Sequence, residues 1–101
     1  MRVDDMMLFA LVARLESFRA AAEQRNITSS VVSKHISRLE DDLGAQLLHR
    51  TTRKLNLTEA GKLLYRHCQT LEEGVELASE ELNAYQAEPS GVVRILSLIH
   101  I

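Results

Sequence analysis

Two helix-forming stretches separated by only three residues, Asn26-Ile27-Thr28, constrain this chain more than any other feature. The first opens at Ser17, whose hydroxyl can accept from an otherwise orphaned amide at a helix start, and runs through Phe18-Arg19-Ala20-Ala21-Ala22-Glu23-Gln24. Its alanines are strong helix formers, and their small side chains let a second helix approach closely. Asn26 tolerates the left-handed backbone that a tight turn needs. The second stretch starts at Thr28 or Ser29 and ends near Leu43, with Gly44 as its stop. On it Val32, Ile36, Leu39 and Leu43 form a narrow apolar stripe, while Ser30, Ser33, Lys34, Ser37 and Arg38 lie mostly on the other side. A short helix, a tight turn and a second helix with one packed and one polar face make a helix-turn-helix.

The flanking segments complete a small domain. From about Asp4 to Leu15, the residues Leu8, Leu11, Val12 and Leu15 fall on one helix face, and Asp4 or Asp5 is expected to cap its start. After Gly44, the segments Gln46-Leu47-Leu48-His49-Arg50 and Leu55-Asn56-Leu57 flank the basic tip Thr51-Thr52-Arg53-Lys54 and predict a β-hairpin. Thr58 then caps a long helix reaching about Tyr85. On it Leu64, Cys68, Leu71, Val75, Ala78, Leu82 and Tyr85 alternate steps of four and three, a heptad seam. Pro89-Ser90-Gly91 ends that helix, and Val92-Val93-Arg94-Ile95 reads as the opening of a strand. The expected fold class is mostly α: three helices and a hairpin wing over residues 1–58, a linker and dimerisation helix over 59–88, and a hinge segment over 89–101.

A formal net charge of -2 hides a segregated distribution. Arg19 to Arg66 holds nine basic and five acidic residues, whereas His67 to Glu88 holds six acids and no Lys or Arg. A local basic field can meet phosphates while an acidic segment faces water or a partner. Aromatic content is only 4%, which disfavours RNA binding by base stacking. The B-DNA major groove admits one α-helix, and hydroxyls and cations on the first half of the second stretch suit its base edges and phosphates. The candidate DNA-binding residues are Thr28, Ser29, Ser30, Ser33, Lys34 and Arg38. Taken alone, the serines are as well explained by a solvated face; the crowding of three of them with two cations on one side favours the groove. The tip Arg50, Thr51, Thr52, Arg53 and Lys54 is a second candidate, laid along the backbone or minor groove, though Arg50 could instead pair with an acid such as Glu40.

Taken in order, Ser17-Phe18-x-x-Ala21-Ala22, then Thr28-x-Ser30-x-Val32-Ser33-x-x-Ile36-x-x-Leu39-Glu40-x-x-Leu43-Gly44-x-x-Leu47-Leu48-x-Arg50, then Leu57-Thr58-x-x-Gly61 resemble the N-terminal signature of LysR-type transcriptional regulators. The resemblance implies a winged helix-turn-helix on a palindromic operator in double-stranded DNA, with linker helices that form a homodimer. It also implies tetramers of the full-length protein and a C-terminal domain that senses a small molecule. Gly91-Val92-Val93-Arg94-Ile95 resembles the start of that domain, and the residues after it depart from the expected continuation, so a truncated chain is expected. Arg25 stands where the family usually has an apolar residue and is expected to snorkel to the surface. Ser29 stands where many members have glutamine.

Other chemistry finds little support. His35, His49, His67 and His100 lack metal-ligand spacing, and the one base beside Cys68, its neighbour His67, would point elsewhere on a helix, so neither a metal, a cofactor nor an enzyme is expected. A single cysteine, no signal peptide and no membrane-spanning run point to the cytoplasm. The competing reading is a dimeric coiled-coil module whose winged domain binds another protein.

Overall fold

The structure, a computed structural model, describes residues 1–50 and 54–86. The element order is α1 (Val3–Leu15), α2 (Phe18–Arg25), α3 (Ser29–Leu43), β1 (Leu48–Arg50), β2 (Leu55–Leu57) and α4 (Glu59–Gln86). The chain divides into two units, Met1–Gln69 and Thr70–Ile101.

In the first unit α1, α2 and α3 pack against one another around Phe9, Val12, Ala21, Val32, Ile36 and Leu39, none of which is exposed. The caps explain where these helices begin and end. Ser17 Oγ accepts from the Ala20 amide at 3.0 Å, and Thr28 Oγ1 accepts from the Val31 amide at 3.2 Å. Asn26 and Gly44 adopt left-handed backbone, φ 57° and 65°, and each donates its amide back into the helix it closes. The hairpin is antiparallel, with Leu48 opposite Leu57, His49 opposite Asn56 and Arg50 opposite Leu55.

Thr58 joins the wing to α4. Its hydroxyl donates to the Gln46 carbonyl at 2.6 Å and accepts from the Gly61 amide at 2.9 Å, while its own amide donates to the Leu47 carbonyl at 3.0 Å. The cap therefore ties the start of α4 to the strand entry as well as ending the wing.

Three expectations are corrected. Neither Asp4 nor Asp5 caps α1: the N-cap is Arg2, with no side-chain bond, and Asp5 lies inside the fold. Leu43 leaves the α3 stripe, 39% exposed, because the helix outruns the core it covers by one turn. The seam on α4 is not a single surface. Leu64 packs against the core of the first unit and Cys68 is wholly buried in it, its thiol 3.6 Å from the Met6 carbonyl oxygen. In the second unit Leu71, Val75, Ala78, Leu82 and Tyr85 are exposed. The hinge expected at 89–101, with its strand at Val92–Ile95, lies outside the described residues.

Candidate nucleic-acid interface

The polar face of α3 follows from its buried one. With Val32, Ile36 and Leu39 turned into the core, Ser30, Ser33, Lys34 and Ser37 must turn outward, and together with Arg38 and Asp41 they line one open concavity. Ser29 is exposed at the first helical position. Thr28 is exposed too, with its hydroxyl oxygen engaged as the cap by the Val31 amide. Lys34 is exposed and lines the same concave face.

Arg38 departs from the expected role. Its Nε donates to Asp5 Oδ2 at 2.9 Å and its Nη2 to Oδ1 at 2.8 Å, a bidentate pair between α3 and α1. His35 Nδ1 lies 2.7 Å from the same Oδ1. The Asp5 carboxylate is fully buried. The hydrogen bonds from Arg38 hold its pKa down to about 2 against the opposing effect of burial, with His35 adding to the same direction. Asp5 also raises the pKa of Arg38, so both partners stay charged at neutral pH. Sequence reasoning missed this cluster. A signal existed: Asp5 precedes Leu8 by three residues and Val12 by seven, so it continues the apolar stripe of α1 into the core.

The wing is fastened on the other flank of α3. Glu40 Oε2 accepts from the Leu47 amide at 2.8 Å, and Oε1 accepts from Arg50 Nη2 at 3.0 Å. The Arg50 guanidinium also lies over the Phe18 ring, 5.9 Å from its centroid. One carboxylate thus links α3 to the strand entry and to β1, and Arg50 joins them to α2. Of the wing tip, Lys54 is exposed; Thr51, Thr52 and Arg53 lie outside the described residues. Arg25 is exposed at the last position of α2.

Among the described residues no group of three or more His, Cys, Asp or Glu side chains could hold a metal ion, and no helix is long and apolar enough to cross a membrane.

Comparison with known proteins gives a consistent result. The family described as bacterial regulatory helix-turn-helix protein, lysR family, matches residues 3–62. The HTH-type transcriptional activator AaeR of Escherichia coli K12 is 40% identical over 94 residues, covering 93% of this chain and 30% of the relative. The HTH-type transcriptional regulator DmlR of the same organism is 39% identical over 95 residues, covering 94% of this chain and 31% of the relative. The chain thus spans about 30% of the length of the curated relatives it matches. Among solved structures, the BenM_DBD in complex with catB site 1 DNA superposes with a TM-score of 0.79 at 27% identity, covering 89% of this chain and 100% of that one. The full-length virulence activator AphB of Vibrio cholerae gives a TM-score of 0.73 at 38% identity, covering 81% of this chain and 28% of that one.

Proposed function

The chain belongs to the lysR family of bacterial regulatory helix-turn-helix proteins, and from that premise we propose that it binds a specific site in double-stranded DNA through α3, as part of a transcriptional regulator. The observation that carries this reading is the outward face of α3. Ser30, Ser33, Lys34 and Ser37 form one concave polar surface, on a helix whose opposite face is locked into the core. Hydroxyls can donate to or accept from base edges, and a lysine reaches the O6 and N7 acceptors of guanine or a phosphate. Ser29 and the hydroxyl of Thr28 stand at the end of α3 that enters a groove in helix-turn-helix proteins. Lys54, with Thr51, Thr52 and Arg53, supplies the wing contacts to the backbone. The relative whose solved structure holds DNA supports the reading through its matching fold.

The exposed residues of α4 in the second unit supply the second half of the proposal. Leu71, Val75, Leu82 and Tyr85 are 39%, 62%, 55% and 49% exposed and recur at heptad steps. An apolar stripe of that length calls for a partner helix, and an identical chain provides one with the symmetry a palindromic operator needs. A homodimer can then engage two half-sites about 34 Å apart. The role is binding, not catalysis, and its place is the cytoplasm, where the DNA is.

The test is selection of bound sequences from a random duplex pool, followed by titration of a selected and a scrambled duplex at several salt concentrations. A selected motif with a log–log salt slope of about -0.9 per phosphate contact supports the reading. Absence of any enriched sequence overturns it.

A further inference from the structure

We propose that Asp5 is a positioning residue for DNA readout: by gripping Arg38 it sets the roll of α3 about its own axis and keeps that arginine off the DNA. The inference rests on the reading of α3 as the recognition helix. Its starting point is that the contacts seating α3 on the core, through Val32, Ile36 and Leu39, are apolar. Apolar contacts are not directional, so they define the roll of a helix less sharply than hydrogen bonds with fixed donors and acceptors do. A roll matters here because Ser33 and Lys34 must meet base edges at hydrogen-bond distance.

The bidentate pair between Asp5 and Arg38 is directional. Two nitrogens of one planar guanidinium meet two oxygens of one carboxylate at 2.9 and 2.8 Å, and that fork admits one orientation. His35, one turn before Arg38, brings its Nδ1 to 2.7 Å from the same carboxylate. Its Nδ1 also lies 2.9 Å from Arg38 Nη2, so three side-chain nitrogens of α3 gather at a single fully buried group of α1. The Glu40 carboxylate on the opposite flank ties α3 to the strand entry and to Arg50. Two directional anchors on opposite flanks define a roll angle that one alone would leave open.

The same pair decides what Arg38 does electrostatically. Arg38 lines the polar concavity with Ser30, Ser33, Lys34 and Ser37, so its position alone marks it as a DNA contact. Paired with an ionised carboxylate, however, it presents almost no net charge to a phosphate and has little counterion to displace. An ion pair with a buried carboxylate and a part-exposed guanidinium is also a modest source of net stability, since desolvation of the carboxylate offsets much of the attraction. Its value here is orientation.

The test compares the full chain with its Asp5→Leu/Arg38→Met variant, which replaces the pair by apolar side chains and leaves no unpaired buried charge. Both are titrated with a duplex selected by the wild-type chain and with a scrambled duplex, across a salt series, and unfolding in urea is followed alongside. The expected result is a variant about as stable as the wild type, with an unchanged salt slope on the scrambled duplex. Its preference for the selected duplex should fall about tenfold, the size of one misplaced base contact. A preference that stays the same while the salt slope drops by about 0.9 makes Arg38 a phosphate contact and overturns the proposal. No change in either quantity overturns it as well. Should the apolar pair fail to fold, Asp5→Asn/Arg38→Gln keeps hydrogen-bonding groups at both positions without charge, and the same two readouts decide. A wild-type chain that selects no duplex overturns the DNA reading itself, a result distinct from a selective wild type beside an equally selective variant.

Discussion

A β-carbon placed on Gly61 would fall on the main-chain carbonyl oxygen of Leu47. The first turn of α4 lies against the strand entry at that point, and the Thr58 cap holds the two together. Gly74, further along the same helix, has open space around it. One substitution should therefore have opposite signs at the two positions. Alanine at either gains roughly 0.8–1 kcal/mol of helix propensity. At Gly61 that gain is outweighed by a clash with backbone that cannot swing away, so Gly61→Ala should cost a net of roughly 1–3 kcal/mol. Gly74→Ala should stabilise by up to about 1 kcal/mol. Urea unfolding of the two variants beside the wild type measures both signs; a stabilised Gly61→Ala would mean that the strand entry does not lie against α4.

Acid should weaken the first unit through Asp5. Its pKa is lowered from 3.8 to about 2 in the fold, chiefly by the hydrogen bonds from Arg38. A depressed carboxylate pKa adds stability that is fully present above the unfolded value and is lost as pH falls from 3.8 through about 2. The contribution is roughly 2 kcal/mol. The slope of unfolding free energy against pH over that window should flatten in Asp5→Asn. An identical pH dependence in the variant would show that another group carries it.

Replacing Ser33 or Lys34 by alanine should separate binding from folding. Lys34 is exposed and Ser33 half-buried, and neither is part of the core. Each change should cost roughly 1–3 kcal/mol in binding to a selected duplex. Thermal stability should move by no more than about 0.5 kcal/mol. Titration and thermal melting of the same preparations check both. Unaltered affinity in the two variants would take α3 out of the groove.

Residues that share one heptad pattern on α4 should respond in two ways. Leu71→Asp with Val75→Asp should give folded monomers that bind a selected duplex weakly, because linked half-sites no longer add their affinities. Cys68→Ala, three residues before Leu71, should leave association intact and lower the stability of the first unit by roughly 1 kcal/mol, through the lost burial of one small side chain. Sedimentation equilibrium together with urea unfolding distinguishes the two effects. Dimers that persist in the Leu71/Val75 variant would move the interface elsewhere.

Much of the architecture is legible in the sequence because it is local. Ser17, Thr28 and Thr58 cap the helices that follow them, and Asn26 and Gly44 take the left-handed backbone their positions call for. Spacing within a single helix places Val32 and Ile36 in the core and Ser30, Ser33 and Lys34 outside it. Caps, turns and helical periodicity depend on residues within about one or two turns of each other, and a linear reading contains those distances. What each charged side chain does is a different kind of question. Arg38 looks like a DNA contact on α3 alone, and Asp5 looks like a helix cap on α1 alone. They become an ion pair, with its carboxylate buried, only because α1 and α3 cross where the two meet, 33 positions apart in the chain. Cys68 belongs to the heptad of α4 by spacing, yet the packing of its own stretch against Met6 puts it in the core of the first unit. Electrostatics and burial depend on distances through space, so the sequence determined the helices and their faces, and the tertiary structure decided which cations remain available to a phosphate.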